Sequence, residues 1–300
     1  MQRVWAAGRP VDLGATLGPL RRGTGDPAHR FDPTGRFWWA CHTPDGPGTL
    51  AVAASGPSVT GEAWGAGAGW LLERLPQLLG ADDDWSGLDV SDVPVLHRVR
   101  RSRPGLRLPS TGLVLDALVP AILEQKVTGE EARRSWRLLV RRYGTPAPGP
   151  ADGLRVPPTP DVLLAVPSWD WHRFGVEGRR QAAIRAAATV ARRLEECVVL
   201  PPAAALARLQ VVPGVGIWTA AETAQRALGH PDAVSVGDYH LKNHVVHLFT
   251  GRARGTDEEM VELLAPWAGQ RQRVMRLVEL AGIGAPRFGP RFAYTDIRAI

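Results

Sequence analysis

Asp238, in the run Ser235-Val236-Gly237-Asp238-Tyr239-His240-Leu241, follows the segment Leu209-Gln210-Val211-Val212-Pro213-Gly214-Val215-Gly216, and these two stretches carry the residues best able to do chemistry. A carboxylate held dry and ionised can stabilise positive charge as it develops on a sugar and accept a proton from an attacking water. The glycine turn can grip an anion. Gly214 and Gly216 permit positive φ and leave backbone N–H groups uncovered, while a helix starting at about Ile217 adds the positive end of its dipole. Pro213 is expected to stop a preceding short helix whose apolar face carries Leu206 and Leu209. The turn Pro213-Gly214-Val215-Gly216 is therefore a candidate for holding a nucleic-acid backbone, which positions a duplex without reading its sequence. Each feature also has a plainer reading: the turn can simply join two packed helices, and Asp238 can cap a helix beginning at about Tyr239. For Asp238 the two roles are compatible.

The chain resembles the helix-hairpin-helix DNA glycosylases, and within them the branch that removes 3-methyladenine and other alkylated bases. The resemblance rests on Val212-Pro213-Gly214-Val215-Gly216-Ile217-Trp218-Thr219-Ala220, on Asp232 to Leu241 around Asp238, on Ile122-Leu123-Glu124-Gln125-Lys126-Val127-Thr128 and on Leu264-Ala265-Pro266-Trp267. It implies an everted base, with Asp238 as the catalytic carboxylate and Trp218, Trp267 and Tyr239 as pocket aromatics. A purine alkylated at N3 or N7 is cationic, gains from a π-face, and leaves without a general acid, so one carboxylate suffices. Relatives that also cut the strand place a lysine at the hairpin-helix position, where it attacks the sugar as an amine. Here that position is Trp218, which points to a monofunctional, water-using enzyme that leaves an abasic site in double-stranded DNA. Relatives often follow the Gln of the Ile-Leu-x-Gln string with an apolar wedge that fills the gap in the duplex. This chain has Gln125 then Lys126, a pair expected to serve as wedge or DNA contact. Glu222, one helical turn after Trp218, can line the pocket and favour a cationic base, or can pair with Arg226. No transition metal is expected, although His240, His244 and His247 fall near one helix face; a monovalent cation on hairpin carbonyls is a further implication of the resemblance.

The remaining sequence must supply the scaffold. With 300 residues, two or more compact units with ordinary cores are expected. The formal charge of +6 suits a polyanionic partner, although the bias toward arginine, with Lys126 and Lys242 the only lysines, can equally reflect genome composition. Two cysteines, Cys41 and Cys197, are too few for the four-cysteine cluster that some relatives carry, and too few for a disulfide scaffold. The opening residues, with Arg9, Pro10 and Asp12, do not read as a signal peptide, and no apolar run reaches the roughly 20 residues of a membrane span. A monomeric, cytoplasmic, nucleoid-associated bacterial protein is the expectation.

The fold class expected is mostly α, with an all-helical glycosylase core at residues 89–300 and a small N-terminal α+β sheet domain at residues 1–88. Strand-like runs Phe37–Cys41 and Leu50–Ala53 flank a turn-rich Thr43–Gly48, and a helix around Trp70–Leu75 covers one sheet face. From Thr111 the period is helical, with Leu115, Leu118, Val119 and Ile122 on one stripe. A helix closes at Arg141-Arg142 before Gly144, and a proline-rich connection runs from Thr145 to Pro158. Arg179–Glu196 reads as one helix, the helix-hairpin-helix spans about 203–228, and Pro266 separates helices containing Met260–Leu264 and Val274–Leu280. The tail Pro286–Phe292 is expected to pack against the N-terminal sheet. Two other classes compete: a non-catalytic DNA-binding module, which has no use for a carboxylate near phosphates, and a bifunctional lyase, which the missing hairpin lysine opposes.

Overall fold

The computed structural model describes residues 1–286; all but the first residue of the Pro286–Phe292 tail lies outside them. Five antiparallel strands, β1 (Gln2–Ala6), β2 (His29–Phe31), β3 (Phe37–Thr43), β4 (Gly46–Ser55) and β5 (Ser58–Gly65), form a sheet in the order β1-β5-β4-β3-β2. The turn between β3 and β4 is tighter than the sequence suggests. Thr43 pairs directly with Gly46, so the glycine and proline of Gly46-Pro47-Gly48 are strand residues and only Pro44-Asp45 turns.

Both sheet faces are covered, which is why β3 reads as a continuous apolar run rather than an alternating one. Phe37, Trp39 and Cys41 face Leu71, Leu72 and Leu75 from the helices Ala68–Glu73 and Leu75–Leu78, which part at Arg74 with Pro76 in the first turn of the second. Trp38, Ala40 and Ala51 face the other way, onto Ala151, Leu154 and Val156. The proline-rich connection is thus a second cover for the sheet. It folds through a two-stranded ribbon, β6 (Thr145–Pro146) with β7 (Arg155–Val156), while Trp64 stacks on Trp38 at 5.7 Å.

The rest of the described chain is helical. Leu115, Leu118, Val119 and Ile122 are buried on the helix Val114–Leu123, and the helix Gly129–Tyr143 opens on a capping box between Thr128 and Glu131. They pack with Ile184 and Ala187 and with the hairpin segment in one core; a second core joins Leu96, Leu241, Val245, Met260, Leu264 and Val274. The expected single helix Arg179–Glu196 is broken. It runs Gly178–Thr189 and resumes at Ala191–Glu195, with Val190 at φ −109°, ψ 18°. The β-branched pair Thr189-Val190 has low helix propensity, and the Thr189 hydroxyl donates to the Arg185 carbonyl instead of to solvent. Ile184, Ala187, Ala191 and Leu194 all stay buried across the break. Downstream lie Leu241–Thr250, Asp257–Leu263 and Arg271–Leu280, with a single 3-10 turn at Ala265–Trp267 where Pro266 enters. Among the described residues no helix is long and apolar enough to cross a membrane, and both cysteines are buried free thiols.

Candidate active site and nucleic-acid interface

The two hairpin helices are Pro202–Gln210 and Ile217–Ala227. Leu209, Val212 and Val215 are buried in the helical core, while Val211, Pro213, Gly214, Gly216 and Ile217 are exposed. The apolar residues of Val-Pro-Gly-Val-Gly are therefore the pegs that fix the turn, and its glycines form the outward rim. The first helix already ends at Gln210, so Pro213 lies beyond its end rather than stopping it. Gly214 has φ +87°, and a Cβ there would lie 2.8 Å from the Cβ of Ala183, so both backbone and space demand glycine. Gly216 departs from expectation: its φ is −94°, open to any residue, and an added Cβ would meet nothing within 4 Å. What Gly216 keeps clear is the approach to its own amide. Among the described residues neither the Gly214 nor the Gly216 N–H finds an acceptor, and both stand at the start of the second helix, as an anion site requires.

Gln125 does not project freely toward a duplex. Its Nε2 donates to the Gly214 carbonyl and to the Thr219 hydroxyl, each at 2.9 Å, so it is a strut that locks the neighbouring loop to the hairpin. Lys126 stands exposed beside it with φ +54°, the only non-glycine with positive φ among the described residues. Such a conformation costs of order 1 kcal/mol or more and persists only where surrounding structure imposes it. Gln125 on one side and the Thr128 capping box on the other supply that constraint.

Asp238 sits on the loop between the second hairpin helix and Leu241–Thr250. Its Oδ2 accepts from the Trp218 indole N–H at 3.3 Å, and its Oδ1 accepts from the amides of His240 and Leu241 at 2.8 Å each. The carboxylate therefore ties down the first amides of a helix with one oxygen, from two residues before the His240 N-cap, and faces the hairpin tryptophan with the other. It is half-buried rather than fully dry, and the helix it caps begins at Leu241 instead of Tyr239. Positive φ at Gly237, +94°, turns the chain into the cap, and the Asp257 carboxylate accepts the Gly237 N–H at 2.9 Å. Upstream, Gln225 Nε2 donates to the Ala233 carbonyl and the Ser235 hydroxyl, each at 2.9 Å, and the Ser235 hydroxyl in turn donates a hydrogen bond to Glu222 Oε1 at 2.5 Å.

Glu222 does pair with Arg226, at 2.7 Å. Burial alone would raise its carboxyl pKa, but Arg226, the Ser235 hydroxyl and Arg22 outweigh that and hold it below the ordinary range. The same carboxylate thus anchors the Asp238 loop through Ser235. Tyr239 is 71 % exposed, its ring edge-on to His240, so it flanks the site from outside. Trp267 is not drawn to Asp238 or Trp218 by any described bond or ring contact. It packs on Phe249 at 5.7 Å within the second core and gives its indole N–H to the Asp89 carbonyl. The histidines are used locally: His240 stacks on His244, and His247 meets the carbonyls of Gly251 and Arg252. Hairpin carbonyls of the kind that hold a monovalent cation are partly engaged, Val212 by the Val215 amide and Gly214 by Gln125, though each retains a second lone pair.

Gln125 as a strut, Gln225, Ser235 and Asp257 were not legible as site residues. Asp257 alone had a signal, since it is the first helical residue after Thr256, inside the capping box that Thr256 forms with Glu259.

The arrangement of sheet, helical core and hairpin has known counterparts. A 3-methyladenine DNA glycosylase from Archaeoglobus fulgidus superposes with a TM-score of 0.74 at 17% identity, covering 93% of this chain and 98% of that one. The chain has the helix-hairpin-helix DNA glycosylase fold. An 8-oxoguanine glycosylase/lyase from Clostridium acetobutylicum shares that fold, with a TM-score of 0.73 at 11% identity over 93% of this chain and 96% of the other. In sequence, the similarity lies with the AlkA-like branch. A probable bifunctional transcriptional activator/DNA repair enzyme AlkA of Mycobacterium tuberculosis is 31% identical over 175 residues, or 57% of this chain. The chain spans about a third of that protein's length, 32%. No protein-family model matches the chain.

Proposed function

We propose that this glycosylase-fold protein hydrolyses the N-glycosidic bond of alkylated purines, of the 3-methyladenine type, in double-stranded DNA and leaves an abasic site in base excision repair. The observation that carries the reading is the Asp238 carboxylate bonded to the Trp218 indole beside an anion-ready glycine turn. A duplex phosphate accepts from the open amides at Gly214 and Gly216, and the damaged nucleotide rotates out of the stack toward Asp238. Trp218 offers the cationic base a π-face. As the bond between C1′ and the purine nitrogen breaks, its electron pair neutralises the positive purine, so no acid is required. Asp238 Oδ2 faces the positive charge left on the sugar. Water then bonds to C1′ and yields its proton to the same carboxylate.

The lysines support a water-using rather than an amine-using reaction. Position 218 is tryptophan, and Lys242 pairs with Asp257 at 3.2 Å. Lys126 is exposed on the loop braced by Gln125. The test is release of free 3-methyladenine from methylated duplex by the wild type and by Asp238→Asn, together with borohydride trapping. We expect release by the wild type, a rate lower by roughly 10²–10³ in the variant, and no trapped adduct. Release that survives the substitution removes Asp238 from the mechanism; no release by either protein identifies a DNA-binding module instead.

A further inference from the structure

Away from Asp238, a recess of about 390 Å³ opens between the segment Gly14–Gly23, the Glu124 end of helix Val114–Leu123, the helix Gly129–Tyr143 and the helix Arg271–Leu280. Its lining is dominated by guanidinium groups, five arginines against two glutamates. Three of the arginines are already balanced. Arg22 pairs with Glu124 at 2.9 Å, Arg226 with Glu222 at 2.7 Å, and Arg276 with Glu279. Arg21 and Arg133 remain, and among the described residues neither has a side-chain hydrogen bond or an ion pair. The Nε of Arg21 is buried without an acceptor.

The backbone is shaped around Arg133. A Cβ on Gly23, which has φ +77°, would lie 2.1 Å from the Arg133 Cδ, so that glycine lets the arginine stem cross the chain. Two unpaired, forked donors that converge on one recess match the oxygens of a phosphate. The location says which phosphate. Glu124 precedes Gln125, which is bonded to the hairpin carbonyl of Gly214, and Arg133 lies on the helix that begins after the same loop, past exposed Lys126. The recess and the hairpin therefore flank one loop.

We infer that Arg21 and Arg133 form a second backbone clamp that takes a phosphodiester of the DNA strand running past the Gln125-Lys126 loop. The inference rests on the DNA-binding part of the reading above, not on the excision chemistry. Phosphate contacts act through counterion release, so each one removed flattens the dependence of log Kd on log salt by about 1.

The experiment measures undamaged-duplex affinity across a salt series for the wild type, Arg21→Gln, Arg133→Gln, the double variant and the charge-retaining Arg133→Lys, with thermal melts as a folding control. The expected result is a slope reduced by roughly 1 in each single Gln variant, further reduced in the double, and restored in Arg133→Lys, whatever the DNA sequence. Folded variants with the wild-type slope overturn the clamp while leaving the glycosylase reading intact. Stabilisation of the wild type by inorganic phosphate, with unchanged DNA slopes in the variants, assigns the recess to a free anion and overturns it as well. A wild type that binds no duplex overturns both readings.

Discussion

Replacing Glu222 with Gln separates the two things this side chain could do. In the structure its Oε2 meets Arg226 at 2.7 Å and its Oε1 accepts from Ser235 at 2.5 Å, with only 13 % of the side chain exposed. Glutamine keeps an oxygen for Ser235 but sets an amide donor against a guanidinium donor and leaves Arg226 uncompensated. Breaking one side of a buried pair costs about 3–5 kcal/mol. Arg226 retains the carbonyls of Pro19 at 3.0 Å and Glu222 at 2.9 Å, so the loss should fall at the lower end, about 3 kcal/mol. Urea unfolding at pH 7 measures it.

The acid side adds a check. The folded pKa of Glu222 is depressed, so its contribution to stability is present above the unfolded value of about 4.3 and is lost as pH falls through the folded value. The wild type should therefore lose stability below about pH 4.3 more steeply than Glu222→Gln. Excision separates positioning from substrate contact. If Glu222 acts by holding Ser235 and hence the Asp238 loop, Glu222→Ala slows excision of cationic 3-methyladenine and neutral hypoxanthine alike, and Glu222→Gln restores much of it. A selective loss on the cationic base in Glu222→Gln would refute the positioning argument. A stability loss under about 1 kcal/mol would show the pair to be solvent-screened instead.

Asp238→Asn should leave folding nearly unchanged, because Asn is as good a cap as Asp, whereas Asp238→Ala should cost about 0.5–2 kcal/mol by freeing the His240 and Leu241 amides; melts compared with excision rates separate cap from catalyst. Gly214→Ala should destabilise by at least about 1 kcal/mol, given its φ of +87° and the nearby Ala183 Cβ, while Gly216→Ala should stay within about 0.5 kcal/mol in denaturant titrations. Gln125→Ala should lose two hydrogen bonds, roughly 1–3 kcal/mol together, and weaken duplex binding without changing its salt slope, since no charge is removed.

What was legible in the sequence was local. The helical period of Val114–Leu123, the hairpin helices, the break at Pro266 and the Asp238 bonds to the amides of His240 and Leu241 all follow from residues within a few positions of one another, although Val114–Leu123 is buried all round rather than along one stripe. Long-range choices were not legible. Nothing in Thr145–Pro158 announces that it covers Trp38 and Ala40, because alternate β3 residues are apolar on both faces and do not say what lies over each. The Ile-Leu-x-Gln string marks Gln125 as wedge or DNA contact by resemblance, but its bonds to Gly214 and Thr219 are fixed only by tertiary packing and could not be read from it. The resemblance names Trp267 as a pocket aromatic, whereas the partners that fix its ring, the Asp89 carbonyl and Phe249, come from tertiary packing that its motif does not encode.

The polar contacts around Asp238 are better understood as preorganisation than as stability. A carboxylate that must face charge in a transition state gains most when its orientation is fixed before the substrate arrives. Here the fixing is redundant. Two helix amides and an indole hold the carboxylate itself, Asp257 holds the residue before it, and Gln225 with Glu222 holds Ser235, whose carbonyl accepts the Asp238 amide at 3.1 Å. Farther back, Arg271 grips Asp232 at the start of the loop with two side-chain bonds and one from its backbone. The indole contact fixes the carboxylate oxygen that the two amides leave open, and the Ser235 tether fixes the loop behind it; under the proposed function these bonds set the orientation of that oxygen before an everted nucleotide arrives.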